Sequence, residues 1–218
     1  MSRLLLLAFA LVTVPLFAAE EAPEADTVSV ETRASLERFL ATTKTLQASF
    51  TQALFEDGSE RDALDRSEGT VTLERPGRFR WNYTTPYEKV VAADGARLWI
   101  YEADLDQVIV RPAADAIAAN PASLLSGQAE LDEAFRVLRA FRAGEVDWLE
   151  LEPRAKDNNF GTVRLGLNGG VLSVMELVDN LGQVTRIAFS DVVVNAAVSD
   201  GALDFVPPDG VDVVELGN

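Results

Sequence analysis

A chain of 218 residues is long enough for one domain with a sizeable core. It contains no cysteine and no histidine, which excludes disulfides, thiolate and imidazole metal sites, Ser-His and Cys-His catalysis and imidazole proton shuttling. With 35 acidic against 19 basic residues the formal charge is −16, a balance that phosphate backbones and anionic lipid surfaces repel, so no nucleic-acid partner is expected and the acid surplus reads as a solubility device.

The chain starts with Ser2-Arg3, an apolar run from Leu4 to Phe17 broken only by Thr13 and Pro15, and Ala18-Ala19 before Glu20. This is the layout of a secretory signal peptide, expected over residues 1–19, and the run is too short for a membrane span. Cleavage after Ala19 places bulky Phe17 where a small residue is preferred. Without a cysteine the exported chain is not expected to carry a lipid anchor of its own. Residues 20–30 are acidic, contain a proline and lack periodicity, so a flexible tail is expected there, followed by a single domain over 31–218.

From Glu31 to Leu46, Leu36, Phe39, Leu40 and Leu46 share one helical face, which predicts an amphipathic helix. The period then becomes two. Ala48, Phe50, Gln52 and Leu54 form one alternating set, Val71 and Leu73 a second, and Phe79, Trp81 and Tyr83 a third, as in antiparallel strands with one face in water. Asp57-Gly58, Pro76-Gly77, Asp94-Gly95, Asn168-Gly169-Gly170 and Asn180-Leu181-Gly182 mark turns between apolar runs. Residues 120–125 open with Asn-Pro and predict a short helix. Leu131 to Arg142 is helical on propensity, although Phe135 and Val137 also fit a strand. Runs over 163–167, 171–178, 184–189 and 192–197 complete a meander that Val206-Pro207-Pro208 is expected to stop.

A sheet with one apolar face has to cover it, by closure, a second sheet or helices. The helical inventory is meagre, which hints at a curved sheet closed by helices. If those helices swing aside, the covered face becomes a ligand cavity. Composition alone favours an ordinary filled core for Phe79, Trp81 and Tyr83.

The run Glu74-Arg75-Pro76-Gly77-Arg78-Phe79-Arg80-Trp81, with Tyr83, Pro86, Ala93-Asp94-Gly95 and Leu98-Trp99-Ile100-Tyr101 after it, resembles the outer-membrane lipoprotein carrier family, LolA. The likeness extends back to Phe50-Thr51-Gln52 and forward through Asp104 to Val108, Pro121 to Leu125 and Phe205 to Val211. Each motif is weak, but their order and spacing are specific. The resemblance implies an α+β, mainly β fold: an unclosed, strongly curved antiparallel β-barrel with a lid of about three helices over an apolar cavity. It also implies a strand over Leu131–Ala140, against propensity. Arg75 corresponds to the family's lid latch. Phe79, Trp81, Tyr83, Leu36, Phe39 and Leu40 correspond to cavity positions, and Phe50, Leu54, Val71, Leu73, Leu98, Ile100 and Leu124 are expected to line the same acyl-binding cavity. Arg78, Arg80 and the charged stretch from Glu56 to Glu68 depart from the family's commonest pattern.

The function so implied is that of a non-enzymatic periplasmic carrier that takes lipoproteins from an inner-membrane ABC-type releasing complex to an outer-membrane receptor. No cofactor is expected, release is expected to need no energy source of the protein's own because no Gly-rich phosphate loop ending in Lys-Ser or Lys-Thr is present, and a monomer is expected because hand-over needs accessible surfaces. Three other readings stand beside it: a lipid-binding sensor with the same barrel, a hydrolase using Asp104 and Asp106, which solvated turn acids explain more simply, and the acceptor protein of the same fold, which the lack of a lipidation cysteine argues against.

Overall fold

The computed structural model describes residues 25–56, 62–113, 125–127, 131–154 and 160–216. Helix α1 (Ala25–Thr42) precedes strands β1 (Thr45–Phe55), β2 (Asp65–Glu74), β3 (Arg78–Thr85), β4 (Lys89–Asp94), β5 (Arg97–Glu102) and β6 (Gln107–Pro112). After a 3-10 turn at 125–127 come the one-turn helix α2 (Leu131–Ala134) and strands β7 (Phe135–Ala143), β8 (Val146–Pro153), β9 (Phe160–Asn168), β10 (Val171–Asp179), β11 (Val184–Val194) and β12 (Asp212–Glu215).

All twelve strands form one sheet in the order β12-β6-β5-β4-β3-β2-β1-β11-β10-β9-β8-β7, with β12 and β7 left as edges. The sheet therefore does not close. It is strongly curved nonetheless: β5 and β7 are nine steps apart in that order, about 40 Å in a flat sheet, yet Leu98 of β5 and Phe135 of β7 belong to one buried cluster with Leu36 and Phe39 of α1. Turn chemistry fixes the hairpins. Asn168 pairs with Val171 across Gly169 and Gly170, both with positive φ, as a two-residue turn matched to strand twist requires.

Several boundaries differ from expectation. α1 ends at Thr42, not Leu46, and starts at Ala25, so residues 25–30 of the expected tail are helical. Leu46 is a β1 residue pointing into the core. A side chain distant in sequence helps to end the helix: Asn195 accepts the Lys44 N–H at 2.7 Å and donates to the Thr42 carbonyl, while the Thr42 hydroxyl donates to the Arg38 carbonyl at 2.8 Å. Of the stretch from Glu56 to Glu68, Asp65–Glu68 belongs to β2, whereas residues 57–61, and with them the Asp57-Gly58 turn, lie outside the described residues. Residues 120–124, including Leu124, also lie outside them.

The expected strand over Leu131–Ala140 is half right. Residues 131–134 turn as a helix, and the strand runs over 135–143, where each inward apolar residue gains a sheet neighbour that outweighs propensity. The runs 184–189 and 192–197 are largely one strand, β11, bulged near Asp191 with its φ of 52°. Val206-Pro207-Pro208 does not end the sheet, because β12 follows and pairs parallel with β6. Among the described residues the lid consists of α1, the four-residue α2 and the 125–127 turn, rather than about three full helices.

Candidate functional site

The register sorts the concave face of β1–β6 into rows. Leu46, Leu73, Phe79, Ala93, Leu98 and Arg111 face one another across neighbouring strands, and Ala48, Val71, Trp81, Val91, Ile100 and Ile109 form the row beside it. Opposed residues in antiparallel strands point to the same side, so these rows make a continuous apolar floor interrupted only by Arg111, whose Nε is buried without a hydrogen-bond partner. The next row is Phe50, Gly69, Tyr83, Lys89, Glu102 and Gln107, where polarity takes over.

Phe50 is the hub of the aromatic centre. Its ring meets Trp81 edge-on at 4.9 Å and Tyr83 at 5.0 Å, and Trp81 lies 6.0 Å from Phe189. Gly69 makes room for it: a Cβ there would stand 1.9 Å from the Asn82 carbonyl oxygen and 2.9 Å from the Phe50 ring. The Tyr83 hydroxyl donates to Gln52 Oε1 at 3.1 Å, and burial pushes its pKa up to about 12.

Across this floor lies α1, with Leu36 and Phe39 buried in the cluster and Leu40 packed against it. The Ser29 hydroxyl donates to the Ala140 carbonyl at 2.9 Å, which ties the first half of α1 to β7. The other end is held by Arg75, from the β2–β3 turn. Its Nε–H donates to the Leu125 carbonyl at 2.8 Å and an Nη1–H donates to the Leu40 carbonyl. Leu40 lies in the last turn of a helix that has no basic residue there, where carbonyls lack intrahelical donors and a cation is favoured. The backbone adds two fastenings, Arg75 N–H to Lys44 O at 2.8 Å and Gly77 N–H to Ser126 O at 2.9 Å. Gly127, at φ +68°, lets the Arg75 stem pass close by.

Of the residues predicted to line the cavity, Leu36, Phe39, Phe50, Val71, Leu73, Phe79, Trp81 and Leu98 meet in the buried cluster, with Leu40, Tyr83 and Ile100 packed on it. Leu54 shares the face but lies beyond Gln52, outside the cluster. Arg78 and Arg80 point to the convex side. There they hold Asp204, and the Arg80 guanidinium covers the Phe205 ring at 5.9 Å, which straps the segment leading to β12 over buried Val90, Ala92, Val108, Val110 and Leu203. They do not reach the concave face. Sequence reasoning passed over the far half of the floor, Leu149, Leu151, Val163, Leu165, Leu167, Met175, Leu177, Ile187 and Phe189, although alternation in 163–167 and 149–151 marked much of it.

The convex side of that half carries an unbroken charge row over five strands. Arg139 pairs with Glu150 at 3.0 Å, Glu150 with Arg164 at 2.8 Å, Arg164 with Glu176 at 3.2 Å and Glu176 with Arg186 at 2.7 Å. Burial works to raise the Glu150 carboxyl, but the hydrogen bonds from Arg139 and Arg164 outweigh it and hold the group below its ordinary range. Among the described residues no cluster of three potential metal ligands occurs.

Residues 41–206 match the family described as outer membrane lipoprotein carrier protein LolA. The chain belongs to the LolA family. An outer-membrane lipoprotein carrier protein of Chromobacterium violaceum is 40% identical over 83% of this chain and 86% of its own, and one of Dechloromonas aromatica is 41% identical over 82% and 85%. Among solved structures, an uncharacterized conserved protein of Thermus thermophilus shares the fold alone, with a TM-score of 0.52 at 14% identity over 86% of this chain and 98% of that one. The Arg75 hydrogen bonds and the aromatic floor fall on the stretch that carries the resemblance, at Arg75, Phe79, Trp81 and Tyr83.

Proposed function

We propose that this protein is a periplasmic carrier that holds the acyl chains of lipoproteins against its concave apolar face and gives them up without an energy source of its own. The observation that carries the reading is the shared use of one surface: α1 and the 125–127 turn cover the same aromatic floor that an acyl chain would occupy, and both are fastened by the single guanidinium of Arg75.

The energetics suit a shuttle. A buried methylene is worth about 0.8 kcal/mol, so an acyl chain of about sixteen carbons costs about 12 kcal/mol if left in water. A permanently open cavity would bind such chains too tightly to release them. Here the cargo has to displace Leu36, Phe39 and Leu125, each buried side chain itself worth about 1.5–3 kcal/mol, and that competition lowers net affinity to a level at which a downstream acceptor can compete. In this reading Arg75 is the lid latch and the floor residues form the acyl site. The donor is an inner-membrane ABC-type releasing complex and the acceptor an outer-membrane receptor, with residues 1–19 as the export signal.

The test is capture of a triacylated lipoprotein in a soluble complex by the purified protein, compared with Phe79→Glu. A carboxylate placed where Phe79 is 1% exposed would be desolvated beside the chains, so the folded fraction of the variant should lose capture. Equal capture by folded variant and parent would overturn the reading.

A further inference from the structure

At its polar end the concave face opens into a cavity of about 280 Å³ whose lining includes Gln52, Ser67, Tyr83, Lys89, Glu102 and Asp104. The register makes it a continuation of the acyl floor. Tyr83, Lys89 and Glu102 stand in the row next to Trp81, Val91 and Ile100, and Gln52 with Ser67 in the row beyond Phe50 and Gly69. Tyr83 joins the two regions, its ring against Phe50 and its hydroxyl on Gln52. The opposite end is shut by the Arg75 fastening.

We infer that this cavity is a head-group pocket, which receives the first peptide residues beside the acylated end of a lipoprotein and favours those bearing Lys or Arg over acidic ones. The inference rests on the carrier reading. An amphiphile with its chains on the apolar rows places its ester, amide and peptide groups among Tyr83, Gln52 and Ser67, where hydrogen-bonding groups replace the water that those groups lose. The Gln52 carbonyl already accepts from Tyr83, which leaves its amide N–H groups to donate to a peptide carbonyl. The volume matches the low end of ligand sites, about 300 Å³, room for a short segment and not for a folded domain. Charge sets the preference. Among the described residues, Asp65, Glu88, Glu102 and Asp104 line the cavity with Lys89 as the one cation, and Lys89 is already paired with Glu102 at 2.8 Å, so a cation entering this recess meets a focused negative potential and a carboxylate meets repulsion.

Three probes separate the outcomes: tripalmitoyl-Cys-Ser-Lys-Lys-Lys-Lys, the same lipopeptide with four Asp in place of the Lys, and a fluorescent fatty acyl probe with no peptide. The parent protein should bind the Lys lipopeptide about tenfold more tightly than the Asp one at low salt, with the gap narrowing as ionic strength rises. The double variant Glu102→Gln, Asp104→Asn should cut the gap to about threefold or less and leave the acyl probe unchanged. Equal affinity for both lipopeptides in the parent, or an undiminished gap in the double variant, would overturn the pocket while acyl-probe binding keeps the carrier reading standing. Failure of all three probes to bind would overturn both.

Discussion

Replacing Arg75 by Leu removes the donors to the Leu125 and Leu40 carbonyls while keeping the apolar stem. Hydrogen bonds from a charged group are worth about 1.5–3 kcal/mol each, and the site is only part-buried, so the two together should hold the lid by about 2–3 kcal/mol. That loss shifts the closed–open balance by about 30- to 150-fold towards open. On the carrier reading cargo competes with the lid, so acyl-probe affinity should rise by up to the same factor, and transfer from the loaded protein to an acceptor should slow correspondingly. Amide hydrogen exchange in the last turn of α1, residues 39–42, should accelerate. Arg75→Lys should fall between parent and Leu variant, since one ammonium cannot fork to both carbonyls. Fluorescence titration together with a two-protein transfer assay reads both effects. An Arg75→Leu protein that keeps its fold, its probe affinity and its transfer rate would refute the latch.

Gly69→Ala should destabilise the fold by about 1–3 kcal/mol and lower acyl binding, since the added methyl collides with the Asn82 carbonyl and displaces Phe50; denaturant unfolding with unchanged midpoint would contradict this. Glu150 has its folded pKa depressed, so the stability it contributes is present above the ordinary carboxylate value near 4.5 and is lost as pH falls through the lower folded value. Glu150→Gln should therefore flatten the acid limb of the stability profile below that pH, measured by urea midpoints from neutral to acid pH. Tyr83 shows the opposite direction at the alkaline end: its raised pKa makes stability fall between the ordinary value of 10 and about 12, and Tyr83→Phe should remove that decline. Arg111→Met, which removes a buried unpartnered donor, should leave stability unchanged or raise it by about 1 kcal/mol, and a large loss in thermal unfolding would disprove the assignment.

The apolar face was legible because β-alternation is local: Phe50, Val71, Leu73, Phe79 and Trp81 declare themselves by spacing, whereas Leu98 entered through the family resemblance, and all six lie in the cluster. The turns at Gly95, Gly169 and Gly182 were equally legible, as positions with positive φ. What escaped depends on partners distant in sequence. Asn195 helps to end α1 from 153 residues away, and Arg78 and Arg80 face outward to a strap that no local pattern announces. Helical propensity misled at 135–143, where pairing with β8 decides the conformation. The charge row from Arg139 to Arg186 consists of residues that are individually ordinary surface ions, and only the register lines them up.

The central claim is contact between acyl chains and the concave floor, and Trp81 reports it directly. Trp81 faces inward at 1% exposure, whereas Trp99 and Trp148 stand on the other face. With Trp99 and Trp148 replaced by Phe, a lipoprotein carrying brominated acyl chains should strongly quench Trp81 fluorescence on forming the soluble complex. A complex that forms with Trp81 emission undimmed would place the chains elsewhere and contradict the account.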